Sequence, residues 1–150
     1  MYKRILLASD SESLVALREG ALMAQSLGAV AFLLIVDGKS AGLQFADAVH
    51  PLPNRDPQPL LDVLALGLER LKRLGVTAHG KVSAGEPTLV IAEAALAFRA
   101  DLIVVGHRRQ SLLDRWWSGA SGAYLVDRVS CSVLVARPRQ TEPAQAGARG

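Results

Sequence analysis

Two short segments of this chain carry residue types suited to holding an anion. Gly106-His107-Arg108-Arg109 follows a short apolar run, and Gly119-Ala120-Ser121-Gly122 lies where a helix is expected to begin. Glycines on either side of a loop let backbone N–H groups approach a phosphate, aided by the positive end of a helix dipole and by guanidinium groups. The same glycines serve equally as plain strand-to-helix turns that need φ > 0. Other candidates for chemistry are sparse. His107 has no carboxylate or nucleophile tied to it by a motif and reads as a loop side chain. His50 and His79 lie far apart with no metal-ligand spacing. There is no G-x-x-x-x-G-K-[ST] loop, and no G-x-G-x-x-G follows the first apolar run. Asp10 and Glu12 could imitate the acidic pair of a phospho-receiver, but Val76–Gly85 ends without the aspartate that such a domain phosphorylates. With no nucleophile–base pair and no metal cluster, the expected mode of action is binding, not catalysis, with no metal site.

The composition sets the frame for these residues. At 150 residues, half of them apolar and 21% charged, the chain has the length and usage of one globular domain, which argues against disorder or a coiled coil. A net charge of +3 is too small to argue for nucleic acid. The longest nearly uncharged stretch, Ala21–Val36, is broken by Gln25, Ser26 and Gly28 and falls short of the roughly 20 residues a bilayer needs. Asp10 and Glu12 stand where a signal peptide would have its cleavage region. Cys131 is the single cysteine, which excludes an intrachain disulfide and a cysteine-rich metal site. A cytoplasmic protein without membrane or nucleic-acid partners is expected.

Short apolar runs alternate with helical patterns. Lys3–Ser9, Ala29–Val36, Val76–Ser83, Asp101–Val105 and Ser132–Arg137 read as strands. Leu14, Leu17, Ala21, Leu22 and Ala24 mark a first helix ending at Gly28, with Asp10 or Ser11 expected to cap its start. Asp37–Pro59 holds four of the seven prolines and reads as a long connection, with a short helical turn at Leu43–Val49. Leu61, Leu64, Leu68 and Leu71 mark the inner face of a second helix ending at Gly75. Glu86-Pro87 opens a third, with Ile91, Ala95 and Phe98 facing inward. A last helix is expected near Gly119–Ser130. Thr141–Gly150 lacks large apolar residues and reads as a frayed tail, so that residues 1–138 form the domain and 139–150 the tail. This alternation predicts an α/β fold, an open doubly wound parallel sheet with helices on both faces. Such sheets bind ligands beyond the carboxyl ends of their strands, where the strand order reverses. Those ends carry Asp10, Val36-Asp37, Gly85 and Gly106.

Four stretches, in order and at matching spacing, are similar to the universal stress protein family: KRILLASDSE, LGAVAFLLIVD, SAGEPTLVIAEAALAFRADLIVVGHR and WSGASGAYLVDRVSCSVLVAR. The resemblance runs from Met1 to about Pro138. It implies a five-stranded sheet and a homodimer joined through the last strands, here Ser132–Arg137. It also implies a division between members that bind ATP and members that do not. The binders resemble the pattern G-x-x-G, nine residues, then G-[ST], after the fourth strand. Gly106 and Gly119 match this pattern, while Arg109 replaces the second glycine and Ala120 the hydroxyl residue, with Ser121 beside it. Asp10 matches the acidic residue near ribose and adenine, and Val36 the backbone position facing adenine.

The departures shape the functional expectation. If the second position needs positive φ, an arginine there costs roughly 1 kcal/mol. Loss of the hydroxyl removes a phosphate hydrogen bond, typically about 0.5–1.5 kcal/mol. Arg108 and Arg109 bring compensating charge. The expectation is a degenerate pocket for ATP or AMP with weak or absent binding, its phosphate contacts made by side chains. One alternative is a working ATP or AMP sensor with an open pocket above Asp10, Val36 and Gly106. Another is a module that docks an unknown protein partner through Trp116, Trp117 and the 37–59 loop. Asp10 reads both as helix cap and as nucleotide contact. Arg108, Arg109 and Arg115 read as a phosphate clamp or as a solvated rim, and Cys131 as a small buried apolar residue.

Overall fold

The computed structural model describes residues 1–10, 14–37, 56–106 and 125–137. The expected alternation is present: β1 (Arg4–Ser9), α1 (Val15–Leu27), β2 (Val30–Asp37), α2 (Gln58–Arg73), β3 (Ala78–Ala84), α3 (Pro87–Phe98), β4 (Leu102–Gly106), α4 (Leu125–Arg128) and β5 (Ser132–Ala136). The five strands form one sheet in the order β3-β2-β1-β4-β5, every neighbouring pair parallel. It is the doubly wound α/β sheet that the pattern predicts.

The period-2 geometry of the central strands sorts their side chains between two cores. Ile5 and Leu7 of β1 join Leu33, Ile35 and Val104 under α1 and α2, with Leu17, Ala21 and Leu71 from those helices. Leu6 and Ala8 join Leu34, Val36, Ile103 and Val105 on the other face, covered by Ile91 and Ala95 of α3 and Leu125 of α4. β1, β2 and β4 are buried on both faces and read as unbroken apolar runs for that reason. β3 is an edge strand, and its exposed His79 and Lys81 make it alternate.

Three helices end with the same backbone device. The N–H of Ala29, Val76 and Ala100 reaches back to the carbonyl of Ala24, Leu71 and Ala95 at 2.9, 3.0 and 2.9 Å. The residue before each donor is left-handed: Gly28 at φ 64°, Gly75 at φ 76° and Arg99 at φ 57°. The two glycine stops match the sequence expectation. Arg99 fills a glycine's role and carries no local signal of it. At the start of α3, the Glu86 carboxylate accepts from the Leu89 N–H at 3.0 Å, and Pro87 occupies the first turn as expected.

Several sequence expectations need correction. The residue capping α1 is Leu14, and no side-chain hydrogen bond caps that helix, so Asp10 is not its N-cap. The strand and helix flanking the 37–59 connection reach into it, since Asp37 ends β2 and Gln58-Pro59 is already the first turn of α2. Leu61 is 43% exposed, and Leu60 faces the core in its place; Leu64, Leu68 and Leu71 pack inward as expected, with the buried Gly67 between them. The leucines at 60 and 61 are equivalent by type, and only the docking angle of α2 chooses between them. Leu43–Val49 and the tail beyond Arg137 lie outside the described residues, and the expected helix near 119–130 is described only over Leu125–Arg128.

Candidate functional site

The reversal of strand order falls between β1 and β4, because β1 leads to β2 on one side while the chain returns from β3 to β4 on the other. The last pair in the β1–β4 ladder is Ala8–Val105, so Ser9 and Gly106 come next at the carboxyl edge and Asp10 follows. The β1–β2 ladder stops at Ser9–Ile35, whereas the β2–β3 ladder continues through Val36–Ser83 and Asp37–Ala84. Val36 and Asp37 therefore extend past the end of β1 at the carboxyl edge of the sheet. Three of the predicted site residues, Asp10, Val36 and Gly106, are brought to this one edge. Arg108, Arg109, Gly119, Ala120 and Ser121 lie outside the described residues, as do His50, His107, Arg115, Trp116 and Trp117.

Burial gives the edge its character. Asp10 is only 5% exposed, a carboxylate held within the fold just past the end of β1. A buried carboxylate is an acceptor suited to hydroxyl or N–H donors of a ligand. Val36 places its side chain in the core under α3. Gly85, at φ 141°, turns the chain from β3 into α3. The N-terminus of α3 is already answered by the Glu86 carboxylate, which also takes the Thr88 hydroxyl at 2.6 Å. An anion would therefore meet a competing negative charge there, not an open helix end.

Ser9 is a residue that sequence reasoning missed. It is fully buried beside Ile35, and its Oγ has no hydrogen-bond partner among the described residues. A desolvated hydroxyl without a partner is unfavourable by roughly 1–3 kcal/mol. The only local signal was a polar residue closing an otherwise apolar strand. Cys131 is half-buried against the core under α3 rather than enclosed in it. Burial pushes its thiol pKa above the ordinary value, and the Asp101 carboxylate adds to the shift. Among the described residues no group of three or more His, Cys, Asp or Glu is placed to hold a metal ion. No described helix is long and apolar enough to cross a membrane.

The open doubly wound parallel sheet places the chain in the class of α/β proteins with a nucleotide-binding-like fold. The universal stress protein family model matches residues 1–137, and the chain belongs to that family. It is 30% identical over 145 residues to a universal stress protein A homolog of Haemophilus ducreyi, covering 90% of this chain and 96% of that one. A universal stress protein solved in complex with cAMP superposes with a TM-score of 0.66 at 20% identity, over 92% of this chain and 98% of that chain. The universal stress protein of Archaeoglobus fulgidus in complex with dAMP superposes with a TM-score of 0.63 at 19% identity, over 90% and 98%.

Proposed function

We propose that this chain is a cytoplasmic universal stress protein that acts by binding and takes an adenine nucleotide, weakly, in the crevice between β1 and β4. The observation that carries this is the buried Asp10 carboxylate, one residue beyond the level of Ser9 and Gly106 at the reversal of strand order. Two relatives of the same fold hold cAMP and dAMP, which supports an adenine nucleotide as the ligand class. Asp10 accepts from the ribose hydroxyls, the backbone at Val36 faces the base, and Gly106 lets the chain approach the phosphates. Arg109 and Ala120 stand where the family's binders have a glycine and a hydroxyl, so the backbone cradle is weakened. Arg108 and Arg109 supply phosphate contacts through their side chains, and Gly119 and Ser121 are the further candidates for phosphate contact. Any slow ATP hydrolysis is a by-product of binding.

β5 supports a homodimer as the assembly. It is the outer strand on one side of the sheet, with Leu134 38% exposed and Val133 and Val135 half-buried. A second copy pairing along Ser132–Arg137 removes that unpaired apolar edge.

The test is calorimetric titration of the full chain with Mg-ATP and with AMP, alongside its mass by light scattering. Wild type binds weakly, Asp10→Ala abolishes binding, and Arg109→Gly with Ala120→Ser tightens it by about tenfold, the sum of a relieved backbone and a restored hydrogen bond. No binding to wild type and no gain in the double variant up to millimolar nucleotide would refute the proposal, as would ATP turnover retained by Asp10→Ala. A monomeric mass would refute the dimer.

A further inference from the structure

A second concave surface lies on the opposite side of the sheet from α3, between α1 and α2. The outward residues of α1 and the last turn of α2 enclose a groove of about 730 Å³. Leu17 and Ala21 form its floor, and Leu14, Val15, Leu22 and Leu74 its apolar walls. Leu22, one of the apolar residues that mark α1, is 39% exposed and stands on the α1 side of this groove. The amide of Gln25 donates to the carbonyl of Leu74 at 3.1 Å and ties the two helices together near one end.

Its charge is one-sided. Arg18 rises from α1, and Arg70 and Arg73, one helical turn apart, rise from α2. Glu69 pairs with Arg73 at 3.4 Å across an exposed surface, and no ion pair engages Arg18 or Arg70 among the described residues. All three arginines are exposed at the rim, and no polar side chain points inward from the floor. An enclosed small-molecule site would have polar groups converging inside it. Here the positive charge is spread over both walls, which suits an elongated partner with several carboxylates better than an amphiphile with one headgroup. From Leu14 to Leu22 the wall runs about 12 Å, roughly two turns of helix. That is the span of apolar anchors at i, i+4 and i+7 on a docked helix.

We propose that the α1–α2 groove is a docking site for an acidic amphipathic helix of a partner protein. Its apolar side chains lie on Leu17, Ala21 and Leu22, and its carboxylates meet Arg18, Arg70 and Arg73. Charge complementarity gives the interaction its selectivity, and the apolar floor holds the helix in place.

The probe is a fluorescein-labelled model helix with leucines at i, i+4 and i+7 flanked by glutamates, compared by anisotropy with its lysine-for-glutamate counterpart. The full chain binds the acidic peptide at least about tenfold more tightly than the basic one, and added salt narrows the difference. Arg18→Glu with Arg70→Glu reverses that preference while the melting temperature stays unchanged. Should the charge reversal lower the melting temperature, Arg18→Gln with Arg70→Gln serves instead and abolishes the preference. Equal affinity for both peptides overturns the proposal, as does no binding of the acidic peptide or wild-type binding by the arginine variants. Decanoate shifting the amide resonances of Leu17 and Ala21 while the peptide leaves them unmoved also overturns it, in favour of a small amphiphile.

Discussion

Arg4 donates from Nε to the carbonyl of Phe98 at 2.7 Å and sets its guanidinium carbon 4.2 Å from the centre of the Phe98 ring. One side chain at the start of β1 thereby closes the C-terminal end of α3, where helix carbonyls would otherwise be unsatisfied. The Asp101 carboxylate completes the junction by accepting from the Lys3 and Arg4 N–H groups at 2.8 and 3.1 Å. Arg4→Ala is expected to lower the unfolding free energy by about 1–2 kcal/mol, from one charged hydrogen bond and a stacked cation. Arg4→Lys should recover less than half of this, because an ammonium group cannot bond the carbonyl and lie flat on the ring together. Urea denaturation decides the matter; a loss of only a few tenths would show that the contact carries no weight.

Gly80 and Gly28 separate two reasons for glycine. A Cβ at Gly80 would come 2.6 Å from the Leu33 carbonyl oxygen of β2 and 2.7 Å from Leu64 Cδ1 of α2, so Gly80→Ala pushes β3 away from β2 and displaces the Leu64 side chain. We expect a loss of about 1–3 kcal/mol and faster hydrogen exchange along α2. Gly28 has open space around it but φ 64°, so Gly28→Ala costs about 1 kcal/mol from backbone conformation alone, without disturbing α2. Equal effects of the two changes on α2 exchange would contradict this division.

Ser9 carries a buried hydroxyl without a partner among the described residues. Ser9→Ala is expected to raise the stability of the nucleotide-free protein by about 1 kcal/mol, since it deletes a desolvated polar atom. Thermal melting of the two proteins side by side measures it. A lower melting temperature for the variant would mean that the hydroxyl is satisfied after all.

Cys131 links stability to alkaline pH. Its thiol pKa is raised in the folded state by burial and by Asp101. At neutral pH both folded and unfolded chains keep the proton, so this group adds no pH slope there. As the pH rises past the ordinary thiol range, the unfolded chain ionises first and is favoured. Stability is then lost until the folded thiol ionises as well. Wild type should accordingly fall more steeply with alkaline pH than Cys131→Ala in urea titrations. Iodoacetamide should also alkylate the folded thiol more slowly than the unfolded one. Parallel pH profiles would remove the linkage.

The sequence by itself determined the order of elements and the parallel sheet. Apolar runs such as Leu6–Ala8 and Leu33–Val36 are long enough only for strands buried on both faces, and Gly28 and Gly75 punctuate helices through a backbone conformation that glycine adopts most readily. Family resemblance selected Asp10, Val36 and Gly106, and the registers of β1, β2 and β4 bring all three to one edge of the sheet. Tertiary structure alone decided the rest. Whether Leu60 or Leu61 faces inward, whether Leu22 joins the core or borders a groove, and whether Ser9 finds a partner all depend on the angle and depth at which a helix or neighbouring strand docks. Arg99 takes a left-handed conformation because the Ala100–Ala95 bond and the close return of the chain to β4 require it there. Local propensity is set by a residue and its near neighbours, whereas burial is set by what arrives from elsewhere in the chain.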